Sequence, residues 1–127
     1  MMSRVSSAAL LLVALIHLLP LPGVLGGEVL VRLYGIPVDN PDLALLLRHR
    51  AVLFGLLGIG MIASVAWPAW RPAAYCAAFV SVISFLVLAA LEYPAQPAIQ
   101  RVVIADVIAL VLLVIGAWAE SQARQPR

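Results

Sequence analysis

A group of ionisable residues lies within or at the ends of long apolar stretches, and their chemistry needs an explanation. They are His17, Arg48, His49, Arg50, Glu92, Arg101 and Asp106. Histidine and aspartate side chains can titrate and bind ligands, whereas arginine holds anionic or acceptor-bearing groups. Because an ionised side chain is costly inside a bilayer, such residues usually face the interior of a helix bundle and pair there. The sequence therefore predicts one polar cluster, which is a candidate ligand-binding site.

Four apolar runs surround these residues, and each has the length of one membrane crossing. The runs are Val5 to Gly27, Ala51 to Trp70, Pro72 to Leu91, and Val102 to Ala119, the last of which contains Asp106. A helix needs about 20 residues to cross a hydrocarbon core of about 30 Å. The pattern predicts an all-α fold: a four-transmembrane-helix bundle with short loops, in a single integral membrane domain over residues 1-127. The predicted spans are approximately 5-26, 43-67, 73-92 and 101-119, followed by a cytoplasmic tail over 120-127.

The composition excludes several classes of protein. Of the 127 residues, 65% are hydrophobic and 11% are charged, and the mean hydropathy is +1.09. Four spans occupy about 80 residues, which leaves no room for a soluble domain. The basic residues are all arginines scattered over helix ends and loops, so the clustered basic face of a nucleic-acid partner is missing. Cys76 is the only cysteine, which excludes an internal disulfide and a cysteine-pair metal site.

Local signals predict where the first two helices begin and end. The first run, with Arg4 before it and small residues at its end, has the three regions of a signal peptide, but at 23 residues it is also long enough to cross as a retained helix. We expect retention; cleavage would leave three spans and an outside N-terminus. The sequence Asp39-Asn40-Pro41-Asp42 places a capping residue before a first-turn proline, so we expect the second helix to run from near Pro41 to about Trp67.

The loop charges predict the orientation of the bundle. One set of helix ends sums to +3, from Arg4, Arg71, Arg124 and Arg127 against Glu120. The other set sums to −2, from Arg32 and Arg101 against Glu28, Asp39, Asp42 and Glu92. Because arginines in short loops stay on the cytoplasmic side, we expect both termini in the cytoplasm. The ionisable cluster then lies in the outer half of the membrane or at its outer boundary.

Helix geometry limits which members of the cluster can meet. At about 100° per residue, Arg48 and Arg50 point about 200° apart and cannot both face one narrow pocket. Arg101 and Asp106 lie about 140° apart on their helix and are poor partners. We therefore expect Asp106 to pair with Arg48, Arg50 or His17, and our hypothesis is an interhelical ion pair between Asp106 and Arg48 or Arg50.

The sequence leaves four interpretations of the cluster. It can be a structural ion pair that fixes packing and register, or a pocket for a lipid, quinone or small molecule with arginine as the anion anchor. It can also be a proton or solute path through His17 and Asp106, or a haem or metal site that uses His17 and His49. The histidines lack HxxxH spacing, and we predict no metal site and no bound cofactor, with quinone or haem as the alternatives.

No motif of a soluble enzyme is present. The sequence contains no GxGxxG, GxxxxGK[ST] or GxSxG, and neither the four residues that begin at His17 nor those that begin at His49 form HxGH. We therefore assign no catalytic residue and expect a protein that is not an enzyme.

Three segments carry a resemblance to a known group of proteins. They are Ile16-His17-Leu18-Leu19-Pro20, the block from Leu47 to Gly55, and the block from Arg101 to Asp106. The chain resembles a small bacterial family of four-helix integral membrane proteins, related in style to BphX-like and DoxX-like proteins, over nearly its whole length. Similar members are sometimes labelled phosphopantetheine adenylyltransferase. The resemblance implies a bacterial inner-membrane protein, and the DoxX-like relatives suggest an accessory subunit of a quinone-linked oxidoreductase.

Together these observations favour a multi-pass protein of the bacterial inner membrane that serves as an accessory or small-ligand-binding component. One alternative is a quinone- or lipid-linked membrane enzyme or redox subunit that uses the Arg48, His49 and Asp106 cluster. Another is a proton-coupled small transporter. The expected partners are the lipid bilayer and either further copies of the chain or a larger membrane complex, because four short helices enclose little volume.

Overall fold

The computed structural model describes residues 1–92 and 97–125, and their regular structure is entirely helical. Five α-helices follow one another: α1 Met2–Leu18, α2 Gly27–Tyr34, α3 Pro41–Ala66, α4 Arg71–Leu91 and α5 Pro97–Arg124. Short 3₁₀ helices at Leu21–Leu25 and Pro68–Trp70 extend α1 and precede α4.

Four segments are long and apolar enough to cross a membrane, which confirms the predicted number of apolar helices. They are Met2–Leu25, Pro41–Ala66, Pro68–Leu91 and Pro97–Arg124. The second begins at the residue that the sequence indicates. The Asn40 side chain accepts hydrogen bonds from the backbone N–H groups of Asp42 at 2.7 Å and Leu43 at 3.4 Å, which caps the start of α3.

Two features of the helices differ from the expected boundaries. Helix α2 lies in the predicted loop between the first two spans, where it buries Leu30 and Tyr34 and exposes Glu28 and Arg32. Eight residues are too few to show a clear helical pattern in the sequence. A helix of this length is also marginal on its own, so tertiary packing stabilises it. Helix α5 continues to Arg124, so the first residues of the predicted tail are helical.

The four long helices form a bundle whose chain direction alternates. Helix α1 packs against α5 and α3, and α4 packs against the same two helices. The Ser6 hydroxyl donates to Glu120 Oε2 at 2.8 Å, so the start of α1 and the end of α5 lie at the same end of the bundle. We call this the terminal end, and the opposite end, which carries α2, the α2 end.

The bundle buries many small residues and exposes many large apolar residues. Its buried positions include Ala9, Ala14, Ala51, Gly55, Gly58, Ala78, Ala109 and Gly116. Exposed positions include Leu15, Leu56, Val80, Ile104 and Val114. Small interior residues let helices approach closely, and a large exposed apolar surface is suited to a lipid environment rather than to water. The arrangement supports a membrane protein.

Candidate functional site

A cavity of about 270 Å³ opens between α1, α2, α3 and α5 at the α2 end. Its ionisable lining residues are Arg50, Arg101 and Asp106, beside the hydroxyl-bearing Tyr34. The other walls are apolar and include Ile16, Leu19, Leu33, Phe54 and Val102. The structure therefore brings three members of the predicted cluster to one concave surface.

The Arg50 guanidinium is held in place by aromatic rings. It donates through Nη1 to the Tyr34 hydroxyl at 2.9 Å. Its Cζ atom lies 4.7 Å from the centre of the Phe54 ring, 5.6 Å from that of Tyr34 and 5.8 Å from that of Phe85. Phe54 follows Arg50 by four residues on α3, so helical spacing alone makes these two neighbours. A planar, delocalised cation tolerates such surroundings and keeps further N–H donors for a bound group.

Asp106 lies on α5 and is only 5% exposed. Arg50 and Asp106 both line the cavity. The two ion pairs among the described residues join Glu120 to Arg71 and to Arg124, so neither involves Asp106. Of the two arginines in the ion-pair hypothesis, Arg50 lines the cavity with Asp106 and Arg48 does not. Among the described residues, Arg50 and Asp106 share this cavity without a contact ion pair.

His17 lies beside the cavity wall and is 1% exposed. Its Nδ1 lies 2.9 Å from the Val13 carbonyl oxygen, and because a carbonyl only accepts, Nδ1 is the donor. Its Nε2 lies 3.3 Å from the Ser81 hydroxyl, and its ring stacks on Phe54 at 5.3 Å between centroids. Both ring nitrogens therefore have protein partners, and His17 supports the aromatic wall behind Arg50.

The remaining predicted residues lie away from the cavity. Arg48 is exposed and donates through Nε to the Val24 carbonyl at 2.9 Å. His49 and Glu92 are exposed and do not line the cavity. Successive residues on α3 turn by about 100°, so one narrow cavity takes Arg50 and not its two predecessors. In the part of the chain that the structure describes, no group of three histidine, cysteine or acidic residues could hold a metal ion.

A second polar cluster at the terminal end was not anticipated from the sequence. The Glu120 carboxylate accepts from Ser6 and, at 3.2 Å, from Arg71 Nη1. The Tyr75 hydroxyl donates to the Ser6 carbonyl at 3.0 Å and lies 3.0 Å from the Ser6 hydroxyl. Arg124, one turn after Glu120, donates to the second carboxylate oxygen at 2.9 Å.

Arg71 is the centre of this cluster. Its three nitrogens donate to the Ser64 carbonyl at 3.3 Å, to the Ser3 hydroxyl at 3.1 Å and to the Ser7 hydroxyl at 2.9 Å, in addition to Glu120. We call the set Ser3, Ser6, Ser7, Ser64, Arg71, Tyr75, Glu120 and Arg124 the terminal network. It joins all four long helices.

The sequence contained one signal for the terminal network. Ser3, Ser6 and Ser7 follow the spacing of one helix face, and a polar face on an apolar helix indicates a polar partner. The two charged residues that pair in the network, Arg71 and Glu120, stand at the ends of apolar runs, where the sequence predicts a cytoplasmic turn and a cytoplasmic tail. Burial of Arg71 (6% exposed) and Glu120 (8% exposed) is a result of tertiary packing.

Comparison of the chain with protein-family models, with curated proteins and with solved structures finds no match.

Proposed function

We propose that this chain is a small integral membrane protein that binds the head group of an amphiphilic molecule in the cavity at the α2 end, as an accessory component without catalysis of its own. The proposal rests on one observation: Arg50, Arg101, Asp106 and Tyr34 line a cavity whose other walls are apolar. Ligand sites often lie between the helices of a bundle, which is where this cavity opens. Apolar walls with a few convergent polar groups are typical of ligand sites.

The size and polarity of the cavity define the class of ligand. A volume of about 270 Å³ lies just below the usual range for small-molecule sites, which begins at roughly 300 Å³. A compact ring or head group fits there, and a longer apolar tail would extend along the open side. Arg50 offers N–H donors, so the head group carries acceptor oxygens. A quinone ring and a fatty-acid carboxylate share this chemistry.

The charges of the two ends support an orientation with both termini in the cytoplasm of a bacterial cell. Among the described residues, the terminal end carries Arg4, Arg71 and Arg124 against Glu120, a net charge of +2. The exposed charges of the α2 end sum to −1, from three arginines against four acids; they are Arg32, Arg48, Arg101, Glu28, Asp39, Asp42 and Glu92. The terminal end is therefore the more positive one, which supports its place on the cytoplasmic side.

The orientation is tested by thiol labelling in intact bacterial cells. In a Cys76→Ser background, we expect a cysteine that replaces Asp39 to react with a membrane-impermeant maleimide. A cysteine that replaces Gln122 reacts only after the membrane is permeabilised. Labelling of the Gln122→Cys variant in intact cells would show that the opposite orientation holds.

Ligand binding is tested by native mass spectrometry of the full chain released from mild detergent. The two probes are decylubiquinone and oleate, which carry the two kinds of head group. We expect one molecule of one probe to stay bound to the wild-type chain, and Arg50→Gln to weaken its binding about tenfold, the loss of one charge-assisted hydrogen bond. The probe that is retained identifies the head group.

The matched control is Arg32→Gln, which removes the same charge from an exposed position on α2. This variant should bind the retained probe as the wild type does. Equal binding by the Arg50→Gln variant, or retention of neither probe, would refute the cavity as the ligand site.

A further inference from the structure

An apolar groove of about 640 Å³ runs along the outside of the bundle between α3 and the chain segment that follows α1. Its walls include Leu18, Leu21 and Leu25 on one side and Val52, Leu56 and Ile59 on the other. The groove exists because α1 ends at Leu18 and the chain continues as a 3₁₀ helix. It is separate from the cavity at the α2 end, whose lining includes none of these residues.

Arg48 stands at the outer end of this groove. Arg48, Val52 and Ile59 are separated by four and seven residues on α3, so they share one face of the helix. The bond from Arg48 Nε to the Val24 carbonyl ties the guanidinium to the rim, because Val24 also lines the groove. Arginine carries five N–H donors and this bond uses one, so the terminal nitrogens can donate to a further acceptor.

The position of Arg48 along α3 places it at one surface of the hydrocarbon. Trp67, which is 62% exposed, follows Arg48 by nineteen residues, and at 1.5 Å per residue they are about 28 Å apart along the helix axis. That is close to the thickness of the hydrocarbon core, about 30 Å. Exposed tryptophan and arginine side chains are both stable at the boundary with the head groups.

The length of the groove matches one leaflet of the bilayer. Ile59 follows Arg48 by eleven residues, a distance of about 16 Å along the axis, and half of the hydrocarbon core is about 15 Å. A chain that enters at Arg48 and ends at Ile59 therefore has the depth of one lipid acyl chain. A purely apolar groove with a single cation at its head-group end is complementary to a phospholipid, whose phosphate is an acceptor for arginine.

We propose that this groove binds one acyl chain of a phospholipid in the leaflet at the α2 end, and that the phosphate of that lipid accepts hydrogen bonds from Arg48. The occupant differs from the cavity ligand in its head group and in its place outside the bundle. Arg48, which the cavity does not use, thereby has a binding role of its own.

The test is native mass spectrometry of the full chain in mild detergent with dioleoyl phosphatidylglycerol or with dioleoylglycerol, which has the same acyl chains and no phosphate. We expect one molecule of phosphatidylglycerol to be retained and dioleoylglycerol to bind at least about tenfold more weakly. Arg48→Gln should weaken phosphatidylglycerol binding by a similar factor and leave dioleoylglycerol unaffected. Arg32→Gln, the charge-matched control on α2, should bind as the wild type does.

A second variant tests the groove itself. Val52 is 40% exposed, so Val52→Phe fills the groove from its surface without entering the core, and both lipids should be lost while the helical circular dichroism is unchanged. Unchanged lipid binding by Arg48→Gln or by Val52→Phe would overturn the proposal. A dimer mass that Val52→Phe abolishes would also overturn it, because the groove would then be an interface between two copies.

Discussion

The two ends of the bundle contain the same chemical groups in opposite arrangements. At the terminal end, Arg71, Glu120 and Tyr75 contact one another or the same serine. At the α2 end, Arg50 and Tyr34 are in contact, but Asp106 lines the same cavity as Arg50 without an ion pair to it. An arginine and an acid that share hydrogen bonds hold helices together, whereas the same pair around a cavity can receive a third group. The distances between the partners, and not the residue types, therefore distinguish a structural site from a candidate binding site.

Fourteen residues separate Asp106 from Glu120 on α5, and fourteen separate Arg50 from Ser64 on α3. At 1.5 Å per residue the two polar sites are about 21 Å apart. That distance allows each site to be altered without direct contact with the other, so mutations at the two ends can be compared as independent perturbations.

The largest effect is expected for Arg71→Gln at the terminal end. The change leaves the buried Glu120 carboxylate without its buried cation and removes bonds to three helices, so unfolding should become easier by about 3–5 kcal/mol. Reversible unfolding in mixed micelles with increasing SDS measures this difference. Arg124→Gln is the control, because Arg124 contacts the same carboxylate but its side chain is 51% exposed; it should change stability by no more than about 1 kcal/mol. Equal effects of the two variants would contradict a stabilising role for the buried ion pair between Arg71 and Glu120.

An intermediate effect is expected for Gly116→Ala, one turn before Glu120. A Cβ atom at this position would lie 2.6 Å from the Ala9 Cβ and close to the Tyr75 hydroxyl, so α1 and α5 must separate. Overpacking of this kind destabilises by roughly 1–3 kcal/mol. Gly60→Ala is the control, because nothing lies within 4 Å of its new Cβ and alanine favours the helix by up to about 1 kcal/mol. The same unfolding experiment should give opposite signs for the two variants, and a stabilised Gly116→Ala would show that the terminal end is loosely packed.

The smallest effect is expected for the coupling between Asp106 and Arg50. The hypothesis of a contact ion pair between these residues predicts losses of stability that are partly non-additive. Since neither ion pair of the described residues joins these two groups, we expect the coupling energy in the cycle of Asp106→Asn and Arg50→Gln to be about 0.5 kcal/mol or less, the range of sites without direct contact. The equivalent cycle of Arg71→Gln and Glu120→Gln should give a coupling of several times that value. Similar coupling energies at both ends would remove the distinction between the terminal network as a structural site and the cavity as a candidate binding site.

Much of the fold was predictable because it depends on local rules. The number of apolar helices follows from the length of the apolar runs, and the start of α3 follows from the capping residue Asn40 and from Pro41. The opposite directions of Arg48 and Arg50 follow from the rotation per residue of a helix, and the structure confirms that only Arg50 lines the cavity.

The candidate site was predictable in part. Asp106, Arg50 and Arg101 are charges in or beside apolar runs, which is the signal that predicts a polar cluster. In the structure, all three line one cavity. Tyr34 was not selected, because it reaches Arg50 only through α2, an element too short to recognise from its sequence. The prediction of a cytoplasmic turn at Arg71 and a tail at Glu120 missed their burial. The burial of a helix end depends on which helices surround it.

The sequence by itself determined the all-α class, the number of apolar helices and the directions in which neighbouring residues of one helix point. These properties depend on residues within about one turn or one span of each other. The tertiary structure alone decided which charges are satisfied and which face a cavity. Those outcomes depend on distances of a few ångströms between helices far apart in the chain, and the free energy of a charged group changes steeply over such distances once water is excluded.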